Sequence, residues 1–290
     1  MQGLSALNRL GSTALLTGGV TPIVAAALIG GMSWGRWFVL VAPPMYVILA
    51  LGGLLVYALY RPRAPAIGSP VPARTPWSAS ERRALLIVLA VVALWLTEDL
   101  HHLHAAVPAL VGLIVACAPG VGVLRWSTVE RSLGWSNILV LGAALSLASA
   151  VTTSGAAAWL AGPAKGFLGS VAASAWTATL GLLAVSFALR IVLPNIASYL
   201  TLMIPLTMAL ASELGLNPLV AALLVTIAGD AVLYYPAQSP SSLLVAERGH
   251  IESGEVLRLG FLMTALASLV LLLVAVPYWA WLGEPLVRGR

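Results

Sequence analysis

The sequence predicts an all-α, polytopic membrane protein whose helices include broken ones and a re-entrant hairpin. Three observations carry that expectation. Of 290 residues, 60% are hydrophobic and only 9% are charged, whereas a soluble domain is charged at about 25% of its positions. The apolar residues fall in runs near the roughly 20 positions that a bilayer crossing needs, and the mean hydropathy is +0.98. Finally, several runs are cut by Pro, Gly and Ser. Lipid offers no partner for a free N–H or C=O, so backbone that is irregular at membrane depth is buried in protein or lines a cavity.

The elements follow in order. Trp37–Tyr60 reads as a spanning helix. Arg83–Trp95 begins a second, which ends in the polar cluster Thr97–His104. Ala105–Leu124 is a third, interrupted near its end by Pro119 and Gly120. Asn137–Thr152 is a fourth. Val171–Leu193 and Ile196–Glu213 form a pair broken at Pro194 and Asn195, which predicts a re-entrant hairpin over about 171–213. Pro218–Tyr235 is apolar except for Asp230 and runs into Pro236–Ser242, giving a broken helix over 218–247. Phe261–Leu282 is the last span. Residues 61–83 are rich in Pro and hold five arginines, and so read as a cytoplasmic linker under the positive-inside rule.

Other chemistry is limited by composition. Cys117 is the single cysteine, which excludes a disulfide framework or a cysteine-based metal site. The net charge of +5 rests on arginine, with Lys165 the sole lysine. It reads as loop charge that fixes orientation, not as a nucleic-acid surface. The first 20 residues lack the continuous apolar core of a cleavable signal peptide. Glu98, Asp99, His101, His102 and His104 hold metal-ligand chemistry, but their spacing fits a polar helix end better than a zinc site. Trp34, Trp37, Trp279 and Trp281 read as membrane-interface anchors. Gly142 and Gly155 read as helix-packing positions.

An internal echo sets the organisation. Thr21-Pro22, a short apolar helix, Ser33–Arg36 and a long span form one series. Ser239-Pro240, a short helix, Ser253–Val256 and a long span form another. On this reading 1–60 is the end of a first inverted repeat, 61–83 the linker and 84–290 a second repeat. Binding sites of such folds lie at the repeat interface.

Gly122–Trp126, Trp135–Ala148, Ser154-Gly155 and Trp159–Ala161, with Trp95–Glu98, Leu100-His101, Tyr235–Ser242 and Ile251–Gly260, resemble the divalent anion:sodium symporter family. The resemblance implies secondary active transport of a dicarboxylate, citrate or sulfate by alternating access. It also implies a homodimer in a bacterial-type cytoplasmic membrane. It covers about the last three-fifths of such a transporter, so the family's early helices and first hairpin would precede Met1. Two features depart from the family pattern. Where the family's second hairpin tip has Ser-Asn-Thr, this chain has Asn195, Ile196 and Ala197. Where it has a later asparagine, this chain has Ser242. Those family residues help hold sodium, so the coupling ion stays open between Na+ and H+.

The candidate substrate residues cluster at the breaks: Arg190, Asn195, Ser198, Ser239, Ser241 and Ser242, with Thr17, Gly18, Gly19 and Thr21 in the first repeat. Asp230 and Asn195 are the candidates for ion coupling. Arg190 and Asp230 stand inside apolar spans, where a charge at a helix centre costs roughly 2.5–3.5 kcal/mol or more. Two readings stand. Either Arg190 meets the substrate anion and Asp230 answers a cation or proton, or the two pair with each other and close a polar gap. No constellation at membrane depth supplies a nucleophile or an acid–base pair, so an enzyme is not expected. A truncated or non-transporting membrane subunit is the alternative function.

Overall fold

The computed structural model describes residues 2–60, 76–156, 159, 162, 166, 174–239, 242 and 253–287. Among them every regular element is helical: α1 (Gln2–Thr13), α2 (Val20–Ile29), α3 (Trp34–Tyr60), α4 (Ala79–Leu96), α5 (Glu98–His101), α6 (Ala106–Cys117), α7 (Trp126–Ser132), α8 (Trp135–Thr153), α9 (Ala175–Val192), α10 (Ile196–Glu213), α11 (Pro218–Ala231), a 3-10 turn at Pro236–Gln238, and α12 (Ser253–Val270). A π turn at Leu271–Ala275 joins α12 to α13 (Val276–Trp281). Helices Trp34–Tyr60, Ala175–Val192, Ile196–Glu213 and Gly254–Trp281 are long and apolar enough to cross a membrane.

The chain divides into two compact units. One holds 1–32, 37–59 and 137–290, the other 33–36 and 60–136. This division cuts across the expected repeat boundary, which concerns internal symmetry and not packing.

The larger unit is built around α11. Val220 through Ala231 are all buried, as expected of a helix that is apolar on every face. Asn217 caps its start through Oδ1, which accepts from Leu219 N at 3.0 Å, and Pro218 sits in the first turn, where no N–H is needed. With 14 residues α11 is about 21 Å long, short of the hydrocarbon thickness of roughly 30 Å. Helices α1, α2, α9, α10 and α12 pack against it. Gly229 permits the closest approach, because a Cβ there would enter the ring of Tyr199.

Prolines in α3 create a demand that the last helix meets. Pro43 and Pro44 lack N–H groups, which frees the carbonyls four residues earlier. Those carbonyls, Val39 O and Leu40 O, accept from Tyr278 Oη at 2.8 Å and Trp279 Nε1 at 2.7 Å. This corrects the tryptophan reading. Trp37 and Trp279 are completely buried and Trp34 nearly so, and Trp37 Nε1 donates to Thr13 O at 3.1 Å. Of the four, Trp281 alone is exposed.

In the smaller unit α4 starts at a capping box. Ser78 Oγ accepts from Glu81 N, and Glu81 Oε2 accepts from Ser78 N at 2.7 Å. The bond from Ser78 N, with a second from Ser78 Oγ to Glu81 Oε2 at 2.9 Å, holds the Glu81 carboxyl below the usual carboxylate range. Gly112 of α6 lies against Val91 of α4. The third expected span is shorter than the sequence suggested: α6 ends at Cys117, ahead of Pro119, and the chain turns back so that Val123 N and Leu124 N donate to Ala116 O. Arg83 Nη1 supplies partners for Gly120 O and Val121 O. The acidic and histidine cluster is engaged with the chain itself. Glu98 Oε2 accepts from Trp34 N at 2.6 Å, and the two ring nitrogens of His101 meet Leu94 O and Leu103 N. Among the described residues, none lies within 4 Å of a Cβ built at Gly142 or Gly155, the two positions expected to pack helices. Gly155 ends α8 with a φ of 75°, which favours glycine.

Candidate functional site

A helix leaves its last four carbonyls without intrahelical partners, and α9 and α11 both end inside the larger unit. Two carbonyls at each of these ends are answered by a side chain from another element. At α9, Leu189 O accepts from Leu193 N. Arg190 O accepts from Gln238 Nε2 at 2.6 Å and Ile191 O from Tyr235 Oη at 3.1 Å. At α11, Gly229 O accepts from Arg190 Nε at 3.0 Å, and Asp230 O from Arg9 Nη2 at 2.6 Å. The same Arg9 nitrogen reaches Val232 O at 2.9 Å. Two guanidinium groups thus lie at two helix C-termini, where the macrodipole favours positive charge.

Arg190 is fully buried. Besides Gly229 O, its Nη1 donates to Leu193 O at 2.6 Å and Pro194 O at 2.7 Å, the carbonyls of the hairpin break. The guanidinium lies 6.0 Å from the centroid of the Tyr199 ring. Tyr199 is held in turn by Ser186 and by Val225 O. The Nη2 group of Arg190 is buried and has no hydrogen-bond partner among the described residues. One edge of the guanidinium therefore keeps unused donor capacity.

Asp230 is also fully buried. Its Oδ2 accepts from Thr13 Oγ1 at 2.5 Å and its Oδ1 from Thr21 Oγ1 at 2.9 Å, while Arg9 Nε stands 3.7 Å from Oδ1. The expectation that Arg190 and Asp230 pair with each other is corrected: the ion pair runs from Asp230 to Arg9, and the hydrogen bonds of Arg190 go to backbone carbonyls. Arg9 and Thr13 escaped the sequence reading because α1 is no apolar span. The one available signal was an arginine beside small and hydroxyl residues near the Thr17–Thr21 break. Gln238 was passed over within a motif read for its serines.

The remaining candidates fall as follows. Asn195 caps α10, its Oδ1 accepting from Ala197 N at 2.8 Å and Ser198 N at 3.2 Å; both Asn195 and Ser198 are exposed. The hairpin consists of two 18-residue helices joined by 193–195. Ser239 and Ser242 are buried, and Ser241 lies outside the described residues. Residues 14–19 form the first break, with Thr17 half-buried; Thr21 lies in the first turn of α2 and not in the loop. Gly18 is required by a close approach within the chain, because a Cβ would collide with Ser12 O. Gly19 has extended backbone. Helix breaks 193–195 and 232–235 thus meet through Arg190, Tyr235 and Gln238, and breaks 14–19 and 232–235 through Arg9, Thr13 and Thr21.

Apolar helices whose interruptions meet around a buried and a half-buried arginine define an integral, multi-pass membrane protein of the transporter class. A model of the sodium:sulfate symporter transmembrane region matches residues 3–284, and the chain belongs to that family, a family of transporters and not of enzymes. Among curated relatives, a protein described as a membrane protein from Cupriavidus necator is 25% identical over 87% of this chain and 51% of its own length. The L-tartrate/succinate antiporter of Shigella sonnei is 26% identical over 86% of this chain and 52% of its own. Human solute carrier family 13 member 2 is 31% identical over 57% of this chain and 27% of its own. The chain thus spans about half the length, or less, of these relatives.

Proposed function

We propose that this chain is part of a transporter that exchanges small dicarboxylate-class anions across a cytoplasmic membrane by alternating access, without obligatory sodium. The observation that carries the reading is the buried guanidinium of Arg190, fixed on Gly229 O, Leu193 O and Pro194 O with Nη2 unpartnered. Three carbonyl oxygens converging at helix ends suit a desolvated cation. Arg190 is a tethered one, and its remaining donors suit a carboxylate or sulfate oxygen. The N-terminus of α10, capped by Asn195, adds a favourable dipole beside the same break. Two relatives support the reading: an L-tartrate/succinate antiporter and a chloroplastic dicarboxylate transporter. On this reading Asn195 and Ser198 approach the anion at the exposed side of the break, Ser239 and Ser242 at its buried side. The assembly is a homodimer in which the inverted repeats rock about the site.

The test is uptake of labelled succinate, tartrate and sulfate into proteoliposomes preloaded with unlabelled anion, in sodium and in choline buffers. Exchange that persists in choline and is lost in Arg190→Gln is expected. Uptake that is strictly sodium-dependent and survives Asp230→Asn and Arg190→Gln would sink the reading. A non-transporting subunit would bind none of these anions.

A further inference from the structure

Asp230 has a use that needs neither proton nor substrate. Its carboxylate touches both sides of the first break: Thr13 is the last residue of α1, and Thr21 lies in the first turn of α2. Between them the chain is irregular over 14–19. A loop of that length, with adjacent glycines, sets no angle of its own between the two short helices; α2 packs against α10 and α11 and α1 against α11, and a polar tie at both ends of the break fixes how they meet. Asp230 does so with one oxygen for each side. Arg9 closes the arrangement, placing its charge against Oδ1 and its Nη2 on Asp230 O and Val232 O. The adjoining residue, Gly229, accepts from Arg190, which in turn holds the carbonyls of the hairpin break. Residues 229–232 are therefore the point to which three interruptions are tied.

We infer that Asp230 is a positioning residue: a latch that fastens the first break to the end of α11, so that both breaks and the hairpin move as one body. The bonds span 209 and 217 positions in sequence, so no local geometry substitutes for them. A carboxylate is the side chain suited to the task. It is acceptor-only with two oxygens, and so takes two hydroxyl donors and a guanidinium together. An amide offers one oxygen, and its NH2 faces a donor.

The latch is tested by pulsed electron–electron distance measurement on the full chain in lipid nanodiscs. Spin labels are placed at Ala27→Cys on α2 and Ser212→Cys on α10, both exposed, in a Cys117→Ser background. The parent should give one narrow distance distribution. Thr13→Val and Thr21→Val, which keep shape and remove one hydroxyl each, should broaden it and shift its mean. Asp230→Asn should broaden it further, and Thr21→Ser should restore the parent distribution. Unchanged widths in both valine variants would overturn the latch, and so would broadening in Thr21→Ser equal to that in Thr21→Val. The measurement needs no substrate. A parent protein that exchanges no dicarboxylate would defeat the functional reading and leave the distance result standing.

Discussion

The end of α11 and the start of α4 solve the same problem in opposite ways. Both are helix ends with backbone groups that need partners. At α4 the solution is local: Ser78 and Glu81, three residues apart, satisfy each other at an exposed position. At α11 it comes from far away, with Arg9 supplied from 221 residues earlier and Arg190 from 39. The difference teaches where the polar groups of this chain are costly. Around α4, water substitutes for a lost partner. Around α11 a lost partner leaves a buried group with nothing, and the penalty is that of desolvation.

The comparison breaks most readily at the ion pair. Asp230→Ala should strip Thr13, Thr21 and the partly exposed Arg9 of their shared carboxylate and destabilise the larger unit by about 3 kcal/mol, the low end of what removing one partner from a buried pair costs. Thermal unfolding in mild detergent reads this. A loss no greater than that of a surface variant would show that water reaches the site. Next in size is Gly229→Ala, whose methyl group must displace the Tyr199 ring; overpacking of this kind costs about 1–3 kcal/mol, and the same unfolding assay measures it. Trp279→Phe should cost a comparable or smaller amount, about 1–3 kcal/mol, by leaving Leu40 O unpaired. Pro44→Ala returns an N–H to α3 at the position facing that carbonyl. The double variant should therefore lose less than Trp279→Phe alone, which a double-mutant cycle resolves. The smallest effect belongs to α4. The carboxyl of Glu81 is held below its ordinary range by Ser78, so the stabilisation is present above the unfolded carboxylate pKa and fades as pH falls through the lower folded value. Hydrogen exchange in the first turn of α4 should quicken as the solution is acidified; Ser78→Ala, which keeps the backbone N–H and loses the hydroxyl, should weaken that dependence, and Glu81→Gln should remove it.

The same contrast accounts for what could be read from the sequence. The spans over 37–60, 83–95, 137–152 and 196–213 declare themselves by apolar length, and the structure places helices Trp34–Tyr60, Ala79–Leu96, Trp135–Thr153 and Ile196–Glu213 there. The breaks at Pro194 and Pro236 were legible because a proline followed within two residues by Asn or Gln removes an N–H from an apolar run and interrupts its helix. Arg190 and Asp230 stood out because a charge is costly in such a run. Their partners did not, since a contact across more than 200 positions leaves no trace in local pattern. Arg9 sits in a helix of mixed character, and Thr13 and Gln238 are ordinary residue types. The tryptophans misled for a related reason. Trp37 and Trp279 lie near span ends, as interface residues do, but each answers a buried carbonyl: Thr13 O at the end of α1, and Leu40 O, which a proline in α3 sets free.

The shortness and complete burial of α11 also bear on biosynthesis. A segment of about 21 Å that carries an acid cannot settle in lipid by itself. It enters the bilayer only in company, held among helices made before and after it. Arg9 leaves the ribosome 221 residues ahead of Asp230, so the ion pair forms only once α11 has been made.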